Sequence, residues 1–300
     1  MREQENPFIR SLSFLLVGVL SILIAFPMFM AIRKDLPETG WSFQGEQWIM
    51  FVFLLVFSLL LLKLLRQFIL IILILVFGLL SYGSFSGRYG FKDLAGDYKS
   101  LLYALKFEPR QVNPGFRDKS DFKHKQDIQA ATRNTSQEVR EFAVSAVNAN
   151  FREEQNEHAR YRVLIQCFAV FKKINQNWNY VNDPAGREYF ATPAESVRLL
   201  AGDCDDHAIL MAACVKAIGG TARFVHTSTH LYPEILIGNN YDLEQVNYLV
   251  KKILFPKESI GQLIHYHRDE SGRAWLNMDY TASYPGGRFY AEPVVGVFYP

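Results

Sequence analysis

Residues 202–220 read Gly-Asp-Cys-Asp-Asp-His-Ala-Ile-Leu-Met-Ala-Ala-Cys-Val-Lys-Ala-Ile-Gly-Gly. Gly202 permits a sharp turn into a helix, and Asp203 suits the N-cap. Asp205 and Asp206 fall in the first turn, where the helix dipole favours acids, and Gly219-Gly220 stop the helix. The spacing predicts a helix from Cys204 to about Ile218 with a thiol at its N-terminus. Unpaired N–H groups there lower a thiol pKa, while three neighbouring aspartates raise it. A positively charged histidine partner would have to outweigh them. The Cys204 backbone N–H is suited to form half of an oxyanion hole. A lone cysteine is commonly a small buried hydrophobe, and the flanking acids argue against that here. Cys214 lies about 15 Å further along the helix axis among apolar neighbours, and Cys167 sits near an apolar helical stripe; both read as core.

A base for Cys204 must come from elsewhere in space, and His207, His226, His230, His265 and His267 are the candidates. His207 shares the helix face of Cys204, a geometry suited to packing or orientation. His230 precedes Leu231-Tyr232-Pro233-Glu234 and opens a strand, a rigid mount for an imidazole. Asp279 lies on the mostly apolar strand Trp275-Leu276-Asn277-Met278-Asp279, where a carboxylate needs a partner such as the Nδ1–H of a histidine.

Outward from this stretch the pattern is helices first and strands later. Thr135 or Ser136 reads as an N-cap, and Val139, Phe142, Ala143, Ala146 and Val147 repeat at helical spacing. A second stripe carries Tyr161, Leu164, Ile165, Phe168, Phe171 and Ile174. Asn182-Asp-Pro-Ala-Gly186 reads as a turn, and a short helix runs from about Pro193 to Leu200. Ala222–Thr227, His230–Ile237, Gln262–His267 and Ala274–Tyr280 read as strands, with a helical insertion over 241–256. Residues 282–300 read as an extended tail.

The motifs from Trp178 to Thr281 together resemble the transglutaminase-like superfamily, within the wider papain-like cysteine enzymes. They are Asn179-Tyr-Val-Asn-Asp-Pro184, Ser196–Gly202, Gly202-Asp-Cys-Asp-Asp-His-Ala208, Gly219-Gly-Thr-Ala-Arg-Phe-Val225, His230-Leu-Tyr-Pro-Glu234 and Trp275-Leu-Asn-Met-Asp-Tyr-Thr281. The resemblance implies a Cys204–His230–Asp279 triad in that chain order. In it Cys204 attacks a carbonyl, His230 moves the proton and Asp279 orients His230. It also implies an α+β fold with helices packed on an antiparallel sheet, and a protein or peptide substrate. Trp178, Tyr180 and His207 are the candidates for oxyanion and orienting roles. Acyl transfer to water makes such an enzyme a peptidase or amidase; transfer to a lysine amine makes it a protein crosslinker. A non-catalytic binding or assembly module of the same fold is the remaining alternative. The chain departs from the family in a long insertion at about 239–273 and in its acidic cluster. No cofactor is implied by the family motif, but Asp203, Asp205 and Asp206 offer carboxylate oxygens suited to calcium; surface acids at a helix N-terminus are the ordinary reading.

Residues 1–83 are of another kind. Leu12–Ile32 is uncharged, and Trp48–Tyr82 is broken only by Lys63, Arg66 and Gln67. The second run is too long for one upright span and fits two, about 48–64 and 67–83, turning at Lys63–Gln67. Two or three transmembrane helices are therefore expected over 1–83, then a linker or irregular arm over 84–135, with Gly83, Gly87 and Gly90 at the membrane exit and the catalytic domain over 136–300. With three spans, Lys63 and Arg66 share the side of the N-terminus, and the positive-inside rule puts the domain outside the cytoplasm. With two, it faces the cytoplasm. Net charge is +2, too small to argue for nucleic acid, and three cysteines exclude a disulfide framework. The expected partners are the lipid bilayer and a protein or peptide substrate.

Overall fold

The computed structural model describes residues 7–32, 45–65, 68–106, 109–112, 124–132, 136–183, 188–289 and 292–300. Thr135, Arg66, Gln67, residues 184–186 of the expected turn and residues 107–108, 113–123 and 133–135 of the expected arm lie outside them; the described part of that arm is largely helical, over Phe91–Lys106 and Lys125–Thr132, rather than irregular. The chain divides into two compact units, Met1–Leu102 and Tyr103–Pro300.

The first unit is built from α1 (Pro7–Ile32), α2 (Gly45–Leu64), α3 (Ile69–Ser86) and the start of α4 (Phe91–Lys106). α1 packs on α2, with Phe29 edge-on to Phe51 at 5.5 Å. The long apolar run is broken between Leu64 and Ile69, so its two halves are separate helices. Among the described residues α3 is the one helix long and apolar enough to cross a membrane, with hydropathy 2.3. Its large side chains, including Leu70, Phe77 and Leu79, are exposed. The apolar parts of the other two, Leu16–Phe29 and Trp48–Leu64, are shorter. Gly83 is required by close approach: a Cβ there would lie 1.8 Å from the Tyr89 carbonyl oxygen.

The second unit is mixed α and β. Its elements are β1 (Arg110–Gln111), α5 (Lys125–Thr132), α6 (Gln137–Ala149), α7 (Arg152–Glu157), α8 (Arg162–Asn177), β2 (Asn179–Tyr180), α9 (Pro193–Leu199), β3 (Ala201–Gly202) and α10 (Cys204–Ala217). Then come β4 (Ala222–His226), β5 (Leu231–Gly238), α11 (Asn240–Tyr248), a π-helical turn over Leu249–Leu254, β6 (His265–Arg268), β7 (Ala274–Asn277) and β8 (Gly296–Phe298). Ser136 caps α6 by accepting from the Val139 N–H, and Thr192 with Glu195 forms a capping box on α9. α10 is buried all round from Asp205 to Val215 and packs on β4, β5, α6, α8 and α9. A helix without a polar face is stable only when enclosed. Cys167 and Cys214 are both fully buried in this core.

The strands form a six-stranded sheet ordered β1-β6-β7-β5-β4-β8, and β2 pairs with β3 separately. The sheet is mixed rather than antiparallel throughout, because β1 joins β6 in parallel. That strand is two residues long and sits in a polar stretch, so periodicity could not mark it. β5 pairs antiparallel with β7, Glu234 opposite Asn277. The residue before β5 and the residues after β7 therefore meet at one end of the sheet.

One face of the sheet packs on α10; the other buries a charge network. Glu234 is fully buried on β5. Its Oε2 accepts from Arg223 Nε at 2.8 Å and Nη2 at 2.6 Å, and its Oε1 lies 2.6 Å from His267 Nδ1. The Arg223 guanidinium lies 4.3 Å from the Trp275 ring centroid and donates to the Tyr299 hydroxyl. Burial alone would raise the Glu234 carboxyl, yet His267 and Arg223 hold it below the ordinary glutamate range.

Candidate active site

Cys204 is the first residue of α10, half-buried and free. The Asp203 side chain caps the helix by accepting from the Asp205 N–H at 3.2 Å. Gly202 is fixed by crowding, since a Cβ would fall 2.4 Å from Asp206 Oδ2. Asp206 Oδ1 accepts from the Ala191 N–H at 2.7 Å and ties the approach to α9 onto α10. Burial pushes the Cys204 thiol up to about 12, and the charges of Asp205, Asp203 and Asp279 add to that. The Leu231 backbone N–H acts in the opposite direction, so the sulfur faces the start of β5. Burial, then Asp203 and Asp206, raises Asp205 well above the carboxylate range; burial raises Asp206 to about 6.

His230 is buried directly before β5. A tight turn fixes it: its N–H donates to Thr227 Oγ1 at 3.0 Å, and its carbonyl accepts from the Thr227 N–H at 2.8 Å. Asp279 follows β7, also buried, with its N–H donating to Asn277 Oδ1 at 2.9 Å. His230 Nε2 lies 2.8 Å from Asp279 Oδ2. The nitrogen facing the carboxylate is thus Nε2, not the expected Nδ1, so Nδ1 lies on the other side of the ring. Thr281 Oγ1 also donates to Asp279 Oδ2, at 2.6 Å.

The remaining candidates surround this pair. His207 is fully buried, with Nε2 3.3 Å from Asn175 Oδ1, and burial holds it down to about 4, so it is neutral. Trp178 stands edge-on to His207 at 5.3 Å, and its indole N–H is buried without a partner among the described residues. Tyr180 lies opposite Gly202 in the β2–β3 pairing and stacks on Tyr280 at 5.4 Å. Tyr280 in turn touches the rings of His207 and His230. Sequence reasoning passed over Tyr280, Thr281, Asn277 and Asn175. The first three lie in the Asn277–Thr281 stretch that carries Asp279; Asn175 left no signal. Of the other histidines, His267 belongs to the Glu234 network.

Asp203, Cys204 and Asp205 each place one potential ligand atom within 4.8 Å of the others. Asp205 Oδ1 is buried without a hydrogen-bond partner among the described residues. Asp206 is engaged by the Ala191 N–H and stands apart from that trio.

A half-buried thiol at a helix N-terminus and an imidazole–carboxylate pair at the strand ends thus lie in the same mixed α and β unit. Residues 146–279 match the family described as the transglutaminase-like superfamily, and this part of the chain is a transglutaminase-like domain. No curated protein matches the chain. Among solved structures, calcium-bound LapG from Legionella pneumophila is similar, with 14% identity over 58% of this chain and 86% of that chain and a TM-score of 0.28.

Proposed function

We propose that the chain is a membrane-anchored cysteine-dependent acyl-transfer enzyme that hydrolyses amide bonds in protein or peptide substrates through Cys204, His230 and Asp279. The observation that carries this reading is the buried His230–Asp279 pair, held 2.8 Å apart at the end of the sheet that the Cys204 sulfur faces. Such a pair fixes one tautomer and leaves the opposite ring nitrogen to act as the base. His230 Nδ1 takes the thiol proton as sulfur bonds to the substrate carbonyl carbon. Negative charge moves to the carbonyl oxygen, where the Cys204 backbone N–H and the Trp178 indole N–H are the proposed donors. Collapse breaks the C–N bond, and His230 returns the proton to the leaving amine. Water then attacks the thioester with His230 as base, releasing the acid and restoring the thiol. His207, neutral and held by Asn175, orients the site. The membrane region over 1–83 tethers the domain over 136–300, placed outside the cytoplasm by the positive-inside charges.

An acylating probe directed at thiols tests the reading. It should label Cys204, located by peptide mass spectrometry, and labelling should fall with His230→Ala. Label on Cys167 or Cys214, or none, would remove the proposal. Supplying an amine with a glutamine-containing peptide separates the outcomes: released acid supports hydrolysis, and amine incorporation would make the enzyme a crosslinker.

A second reading concerns calcium. The residues fit it in part: Asp203 and Asp205 supply hard carboxylate oxygens, and Asp205 Oδ1 has no other partner. A bound cation would offset the negative charge beside Cys204 and so make the thiol easier to ionise. Asp205 binds its proton more tightly folded than unfolded, so without a cation stability should fall as pH rises above the ordinary aspartate range. Calcium should therefore raise the melting temperature more at pH 8 than at pH 5, and Asp205→Asn should remove the difference. An equal shift at both pH values would count against the site.

A further inference from the structure

We infer that Thr281 is a positioning residue for the proposed reaction, holding the Asp279 carboxylate in the plane that orients His230. The inference rests on the triad reading above. Asp279 uses its two oxygens unequally. Oδ2 lies 2.8 Å from His230 Nε2 and accepts from Thr281 Oγ1 at 2.6 Å. Oδ1 is buried yet has no hydrogen-bond partner among the described residues. The terminal torsion of an aspartate is broad, so one hydrogen bond does not fix the plane of its carboxylate. The Asn277 side chain anchors the Asp279 backbone and leaves that torsion open. A second donor on the same oxygen closes it. Thr281 reaches that oxygen from only two residues on, so the two side chains are brought together by the local chain.

Oδ1 stays unsatisfied in a buried setting, where a missing partner is costly. A turn of the carboxylate that improved Oδ1 would pull Oδ2 from Nε2 and tilt the imidazole. Thr281 resists that turn. Thr281 itself is exposed and is not among the residues packed under the imidazole. Tyr232 stacks beneath His230, and Tyr280 closes its edge, so the ring keeps its packing without the hydroxyl. The hydroxyl therefore acts on alignment, which is felt in the chemical step rather than in substrate binding.

Thr281→Val removes the hydroxyl at nearly constant volume. It should lower kcat by about tenfold, the size of one charge-assisted hydrogen bond, with KM within about twofold. Thr281→Ser keeps the donor and should stay within about threefold of the parent enzyme. Both are assayed on the full chain in detergent with one peptide substrate, beside Cys204→Ala and His230→Ala. The inference is overturned if Thr281→Val keeps kcat, if its loss lies in KM, or if Thr281→Ser is as poor as Thr281→Val. If Cys204→Ala and His230→Ala keep full activity, the triad reading falls and takes this inference with it. If they abolish activity while Thr281→Val does not lower it, only this inference fails.

Discussion

Replacing His230 by alanine is expected to slow acylation by about 10³-fold or more, and replacing Cys204 by alanine to end it. The reason is the state of the thiol. Burial and the three acids push the sulfur up to about 12, so little of it is ionised at neutral pH. Attack then depends on a base that takes the proton as the carbon–sulfur bond forms, the role proposed above for His230. Its loss leaves only the trace of thiolate. The residual rate of His230→Ala should therefore keep climbing with pH through the alkaline range, while the parent enzyme levels off. Asp279→Ala should cost less, about 10²-fold, because Tyr232 and Tyr280 still hold the ring. Steady-state kcat/KM for a fluorogenic peptide, measured from pH 5 to 10, decides it. A His230→Ala enzyme within tenfold of the parent, or a His207→Ala enzyme that loses as much, would move the base onto α10.

Glu234→Ala should be the most damaging substitution for stability, at about 3–5 kcal/mol, because it strips the partner from a buried cation. Arg223 and Glu234 are both almost wholly enclosed, and Arg223 would be left with the Trp275 face and the Tyr299 hydroxyl. Replacing both residues by apolar ones of similar volume should recover much of the loss, since no lone charge remains. The folded state holds the Glu234 carboxyl below its unfolded range. Its contribution is therefore present above that range and lost as pH falls through the folded value. Urea melts of the full chain in detergent at pH 7 and pH 4 would expose both effects. A Glu234→Ala loss below about 1 kcal/mol would mean the network is dispensable.

The parts of the site that sit on strong local signals were legible. Gly202-Asp203-Cys204 read as a helix start because turn, cap and first-turn acids agree, and α10 begins there. The strands carrying His230 and Asp279 read from their apolar runs, with ends that differ by a few residues. What could not be read is what pairing creates. No local pattern says that β5 and β7 lie side by side, or that β1 joins β6 in parallel from within a polar stretch. The ring nitrogen was misassigned for the same reason, because its choice depends on where Asp279 lies in space. Glu234 looked like a motif letter, and only its enclosure by Arg223 and His267 reveals a buried ion. Thr281 and Tyr280 stood beside Asp279 in plain sight, but their contacts depend on how the chain bends after β7.

The strand order also bears on how the domain is made. Each outermost strand closes on a neighbour far away in the chain: β1 on β6, with most of the domain between them, and β8 on β4. Closing such long loops costs chain entropy before any contact repays it, so folding should be slow and late. α6, α8 and α10 can gather as soon as they are made, but β4 and β5 then wait with an open edge. A polypeptide stalled before residue 296 would present that edge to other chains, and this interval during synthesis is when the domain is most in need of a chaperone.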